Sequence, residues 1–103
     1  MIDEARRRTG EVLEPTPCRR AREFEAVTNG TVHLKLENLQ RSGSFKIRGV
    51  LNTVLSLPRR DSGRRLFAAS TGNHGAAFAE VAEELGYRGT LYMPATASGF
   101  KDE

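Results

Sequence analysis

The chain has 103 residues, 38% of them hydrophobic and 28% charged, with 10 Gly, 4 Pro, one Cys and no Trp, which suits one small domain with a shallow core. The lone Cys18 excludes an internal disulfide framework, and with only His33 and His74 beside it no metal site is expected. The net charge of +3 is unevenly placed: residues 1–65 hold 14 Lys/Arg against 8 Asp/Glu, and residues 66–103 hold 2 against 5. No run approaches the roughly 18 apolar residues of a membrane span. No apolar segment follows Arg6-Arg7-Arg8, as a secretory signal requires, so a cytoplasmic protein without a membrane partner is expected. The doublets Arg19-Arg20, Arg59-Arg60 and Arg64-Arg65 would suit phosphate or nucleic acid. Glutamates rather than aromatic residues interleave with the arginines, however, so a solvated surface is expected and nucleic acid is not.

In chain order, residues 3–13 read as a short helix stopped before Pro15. Residues 14–17 are extended, because each proline pushes its predecessor out of the helical region. Residues 31–37 alternate, with Val32, Leu34 and Leu36 on one face, which predicts a strand. A polar loop, 38–43, precedes Ser44, whose hydroxyl can cap a helix. Apolar residues from Phe45 to Leu57 recur at helical spacing up to Pro58, which predicts a helix over 45–57. Asp61-Ser62-Gly63 turns the chain, and Leu66-Phe67-Ala68-Ala69 is the continuous apolar run of a buried strand. After the polar turn at 70–73, Phe78, Val81, Ala82 and Leu85 predict a helix over 74–85 that Gly86 stops. Residues 90–93 predict a third strand, closed by Pro94.

The order β-α-β-α-β argues for an α/β fold with an open, mostly parallel sheet. Ligands of such folds bind at the loops that follow the strands and open the helices, here 38–46 and 70–74. Three strands make a thin sheet with open edges, and residues 98–103 look like the opening of another helix. The chain, 1–103, therefore reads as one unit and the first part of a larger fold.

Each loop admits two readings. Lys46 falls in the first turn of its helix, where a cation is disfavoured by about 0.3–1 kcal/mol. That is too little to free an amine near neutral pH, so desolvation or imine formation would have to supply the rest. Lys46 is then either a nucleophile toward a carbonyl or a solvated lysine on an amphipathic helix. The strand-turn-helix at Ser70-Thr71-Gly72-Asn73-His74-Gly75 either binds an anion through its amides and hydroxyls or is ordinary capping by Thr71 or Asn73. His74 alone reads as a first-turn histidine rather than a base.

Taken together, Leu34-Lys35-Leu36-Glu37-Asn38-Leu39-Gln40, Ser42-Gly43-Ser44-Phe45-Lys46-Ile47-Arg48-Gly49 and Ala69-Ser70-Thr71-Gly72-Asn73-His74-Gly75 resemble the fold-type II pyridoxal-phosphate-dependent enzymes. Within them they look like the threonine/serine dehydratase and serine racemase branch, over about Pro15 to Lys101. The segment Pro94-Ala95-Thr96-Ala97-Ser98 is also similar, although Gly99 or Phe100 replaces the usual proline. Ile47, where related synthases carry aspartate, and His74, where cysteine synthases tend to carry threonine, favour a dehydratase.

The resemblance implies a pyridoxal 5'-phosphate cofactor bound to Lys46 as a Schiff base, with Phe45 near its ring and Asn73 on its phenolic oxygen. Ser70, Thr71, Gly72, Asn73 and His74 would hold the carboxylate of an amino acid substrate. Lys46 would then take the α-proton, the β-hydroxyl would leave, and the products would be a 2-oxo acid and ammonia. Thr71 stands where racemases of the family carry a serine, so racemase activity is the alternative for the site, and a non-catalytic remnant of the fold is another reading of the chain. The family's glycine-rich phosphate loop and the residue facing the pyridine nitrogen have no counterpart in these 103 residues. The chain alone is therefore expected to bind cofactor poorly and turn over nothing, and a full-length form is expected to be a homo-oligomer.

Overall fold

The apolar periodicity of two segments builds the centre of the molecule. In the computed structural model, which describes residues 1–58 and 63–96, Ile47, Val50, Leu51 and Val54 share one face of helix α3 (Lys46–Leu55). They meet Ala77, Phe78 and Val81 of helix α4 (Asn73–Glu84). Ile47, Leu51 and Val81 are fully buried, each worth roughly 1.5–3 kcal/mol in transfer free energy. Helix α1 (Ile2–Gly10) packs on α3, and Arg8 Nη1 donates to Asn52 Oδ1 at 2.6 Å. Leu13, just beyond α1, completes the cluster.

Strand β1 (Cys18–Arg20) pairs antiparallel with β2 (His33–Lys35), with helix α2 (Glu25–Thr28) between them. Strand β3 (Arg65–Ala69) pairs in parallel with β4 (Arg88–Tyr92), aligning Phe67 with Thr90 and Ala69 with Tyr92. Leu66, Ala68 and Leu91 pack against the helical core, whereas Phe67 and Tyr92 stack on the opposite, exposed face with ring centroids 6.4 Å apart. Gly89 lets β4 approach α4, since a Cβ there would sit 3.1 Å from the Phe78 ring. Helix α4 ends at Gly86, whose φ of +74° is the left-handed stop that glycine permits, and Tyr87 N–H donates to Ala82 O at 2.9 Å.

The α/β class and the order of the expected elements hold, with a parallel β3-α4-β4 unit. The expected strand at 31–37 does not join that sheet: among the described residues the strands form two separate pairs. The expected N-terminal helix stops at Gly10 rather than 13, and Thr9 is its buried residue. The Arg59-Arg60 doublet, the turn at Asp61-Ser62 and the helix opening at 98–103 lie outside the described residues. The Cα radius of gyration is 16.5 Å, with extents of 52 × 37 × 19 Å, against about 13 Å for a compact domain of this length. The loops at 38–46 and 70–74 both open helices of the central pair. Among the described residues no helix is long and apolar enough to cross a membrane, and no three His, Cys, Asp or Glu side chains gather as a metal site would require.

Candidate active site

The first turn is anchored on the chain before it. Gln40 is buried, with its Nε2 donating to Glu14 O at 2.9 Å and its Oε1 accepting from Arg41 N–H at 3.0 Å. The backbone then passes through two left-handed residues, Ser42 (φ 66°) and Gly43 (φ 75°). Ser44, also buried, accepts the Lys46 amide at Oγ over 3.3 Å, so its expected capping role is seen, although the helix itself begins at Lys46. Below the turn, Arg48 forks onto Glu37 with two 2.7 Å bonds, Nε to Oε2 and Nη2 to Oε1. Thr16 Oγ1 also donates to Glu37 Oε1. The Arg48 guanidinium, aided by the Thr16 hydroxyl, holds the Glu37 carboxyl at about 2, against its ordinary 4.5, despite the opposing cost of burial.

Lys46 is exposed, as the solvated-lysine reading has it and not as a desolvated nucleophile would be. Its Nζ lies 5.5 Å from the centre of the exposed Phe45 ring and makes no hydrogen bond or ion pair with the described residues. Lys35, by contrast, spends its Nζ on Thr16 O. Lys46 borders an open groove of about 470 Å³ between α3, β3 and α4, together with Val50, Val54, Phe67, His74 and Phe78. This geometry brings Lys46 and His74 to one groove.

The second turn closes on the Ser70 hydroxyl. Ser70 Oγ accepts the amides of Gly72 at 3.1 Å and Gly75 at 3.0 Å, while Ser70 N–H reaches Tyr92 O at 3.1 Å. The capping expected of Thr71 or Asn73 is thus performed by Ser70. Gly72, at the cap position, is extended (φ −148°, ψ −142°), which brings the side chain two residues earlier over the helix start. Gly75 is required by close approach: a Cβ would lie 3.0 Å from Leu91 Cδ2. Ser70, Thr71, Gly72 and Asn73 line a hollow of about 490 Å³ with Glu80 and Glu83. Thr71, Asn73 and His74 are exposed, and their side chains have no partner among the described residues.

The chemistry available is therefore one unpaired amine at a helix N-terminus, beside a second helix N-terminus with unspent hydroxyl, amide and imidazole groups. Both helix starts favour an anion, and an amine free of ion pairs can condense with an aldehyde. Lys46 and His74 border one groove while Ser70, Thr71, Gly72 and Asn73 line the other hollow, so the predicted residues are divided between two cavities; as a donor set, an amine with amide, hydroxyl and imidazole groups would suit pyridoxal phosphate. Glu37, Arg48 and Arg41 support the first turn, a role separate from those expected of the motif residues. Their pairing crosses 11 and 43 positions, and no local pattern announces it.

The family described as pyridoxal-phosphate dependent enzyme matches residues 11–103. An L-threonine ammonia-lyase from Thermotoga maritima is 40% identical over 93 residues, covering 90% of this chain and 23% of that protein. The catabolic L-threonine dehydratase TdcB of Staphylococcus aureus is 37% identical over 103 residues, covering 99% and 30%. Among solved structures, maize serine racemase superposes with a TM-score of 0.90 at 30% identity, covering 98% of this chain and 31% of that one. The chain spans less than a third of the length of these relatives. By its profile match and its fold, the chain belongs to the fold-type II pyridoxal-phosphate-dependent enzymes.

Proposed function

We propose that this chain supplies the lysine and the substrate turn of an ammonia-lyase that converts a β-hydroxy amino acid, such as L-threonine or L-serine, to a 2-oxo acid and ammonia. The observation that carries the reading is the unpaired Lys46 amine at the first position of α3, in one groove with His74 of the 70–74 turn. The dehydratase and ammonia-lyase names of the relatives support it.

Lys46 Nζ would hold the cofactor through its aldehyde, and as a free amine it would take the proton from the substrate α-carbon. Phe45 would pack beside the cofactor ring, and Asn73 would donate to the phenolic oxygen. When bound, pyridoxal phosphate supplies the electron sink for the broken C–H pair. The substrate carboxylate meets the hydroxyl protons of Ser70 and Thr71 and the amides of Thr71, Asn73 and His74. The Gly72 and Gly75 amides are already spent on Ser70 Oγ, which leaves that hydroxyl only its proton to give. The β-hydroxyl leaves as water, and a second water hydrolyses the tautomerised product, so the reaction is redox-neutral. The whole enzyme is a cytoplasmic homo-oligomer that binds no nucleic acid.

A second reading, racemisation, is favoured by the exposed Thr71 hydroxyl and by the likeness to maize serine racemase. Adding pyridoxal phosphate to the longest available form should give a yellow imine band that survives gel filtration and disappears in Lys46→Ala. A band of equal strength in Lys46→Ala overturns the assignment.

A further inference from the structure

The turn that presents Lys46 is closed locally, by Gly43 N–H on Gln40 O at 2.8 Å and Lys46 N–H on Ser44 Oγ at 3.3 Å, but these bonds do not tie it to the rest of the molecule. Ser42 sits at φ 66°, a region that a residue with a side chain enters only where its neighbours enforce it. The Ser42 hydroxyl is buried without a partner among the described residues, so it does not fix the turn. Gln40 holds one side, through Glu14. Arg41 holds the other, and its partners lie on a different element.

Arg41 Nη1 meets Glu84 Oε1 at 3.1 Å and Nη2 meets Glu84 Oε2 at 2.5 Å, while Nε lies 3.5 Å from Glu80 Oε1, an ion-pair contact that leaves Nε without a hydrogen bond among the described residues. Glu80 and Glu84 are one turn apart on α4, and the three side chains are about two-thirds buried. The first turn of the same helix carries Asn73 and His74, about 16 Å from Glu84 at 1.5 Å per residue. Glu80 also lines the hollow in front of Ser70, Thr71, Gly72 and Asn73. The apolar face between α3 and α4 draws the helices together without fixing their offset. A planar guanidinium forked onto the Glu84 carboxylate does fix it, because its donors are directional.

We propose that Arg41 is a positioning residue whose fork onto Glu84, with Glu80 beside it, sets the placement of the Lys46 turn relative to the 70–74 turn. This rests on reading Lys46 as the cofactor lysine. Loss of Arg41 also leaves Glu80 uncompensated in the hollow where a substrate carboxylate has to sit.

Two measurements on the full chain test the assignment, with Arg41→Ala, Arg41→Lys and the swap Arg41→Glu with Glu84→Arg. In the first, amide hydrogen exchange is followed by mass spectrometry. Arg41→Ala should speed exchange about five-fold at both 43–47 and 71–75, Arg41→Lys should recover only part, and the swap should restore it. In the second, borohydride traps pyridoxal phosphate on lysine, and the label on Lys46 is compared with that on Lys35. Arg41→Ala should lower the Lys46-to-Lys35 ratio about five-fold, and the swap should restore it, whereas general loosening would expose Lys35 too. Unchanged exchange, or faster exchange at 43–47 alone, overturns the proposal, as does an unchanged ratio in Arg41→Ala. If the unsubstituted chain shows no preference for Lys46, the cofactor reading itself fails, and the positioning role falls with it.

Discussion

Replacing Glu37 by Gln tests the support beneath the Lys46 turn. In the folded chain its carboxyl is held at about 2, against 4.5 unperturbed, by the Arg48 fork and the Thr16 hydroxyl. A folded-state value below the unfolded one means that the ionised group stabilises the fold above the unfolded value, and that this stability is lost as pH falls through the folded one. The shift corresponds to about 3 kcal/mol at 1.36 kcal/mol per unit. The Glu37 side chain is 15% exposed but that of Arg48 is 39%, so solvent screening reduces this to about 2 kcal/mol. Glu37→Gln keeps the shape and an acceptor while removing the charge. Urea unfolding followed by far-UV circular dichroism should show a loss of about 2 kcal/mol at pH 7, a smaller loss at pH 3 and almost none at pH 2. A cost below about 0.5 kcal/mol at pH 7, or one that does not change between pH 7 and pH 2, would refute the reasoning.

Ser70→Ala strips the acceptor from the Gly72 and Gly75 amides; it should cost about 1–2 kcal/mol in thermal unfolding and speed amide exchange at 72–76, with the rest of α4 unaffected. Gly75→Ala forces a methyl group to within 3.0 Å of Leu91, and overpacking of this kind costs roughly 1–3 kcal/mol. The outcome to check is a lowered melting temperature that Leu91→Ala partly relieves; a Gly75→Ala chain as stable as the parent would mean that α4 and β4 are not in close contact.

Much of this arrangement is legible in the residues. The helices α3 and α4 announce themselves because their apolar residues recur every three or four positions, and their ends fall within two residues of the expected ones. Lys46 and the 70–74 turn follow directly, since both occupy the starts of those helices. The division into two sheets is not legible. Strand β1 is three exposed residues, Cys18-Arg19-Arg20, with no alternation to mark them, and its partner lies 13 or more residues away. Strand β2 shows alternation but says nothing of what it pairs with. The same limit hides the Glu37–Arg48 and Arg41–Glu84 pairs, whose members stand in an arginine- and glutamate-rich chain where many pairings look equivalent before the fold chooses. The choice between a solvated and a desolvated Lys46 stays open in the sequence too, because helical position says which face a side chain leaves and not what stands opposite it.

Both chemical turns are built by one device. A serine oxygen at the mouth of a helix takes the amides that would otherwise be idle: Ser44 takes that of Lys46, and Ser70 takes those of Gly72 and Gly75. Support is thereby separated from chemistry. Gln40, Ser44, Glu37 and the Ser70 oxygen are satisfied and mostly buried, while Lys46, Thr71, Asn73 and His74 stand exposed with nothing to bond among the described residues. Folded chains pair their polar groups wherever they can, and exposed side chains need no partner but water. What makes these four informative is their placement, around two helix starts whose partial positive charge favours an anion. A ligand with an aldehyde for the amine and an anionic partner for the turn would use all of them without disturbing the serines that hold the turns in shape.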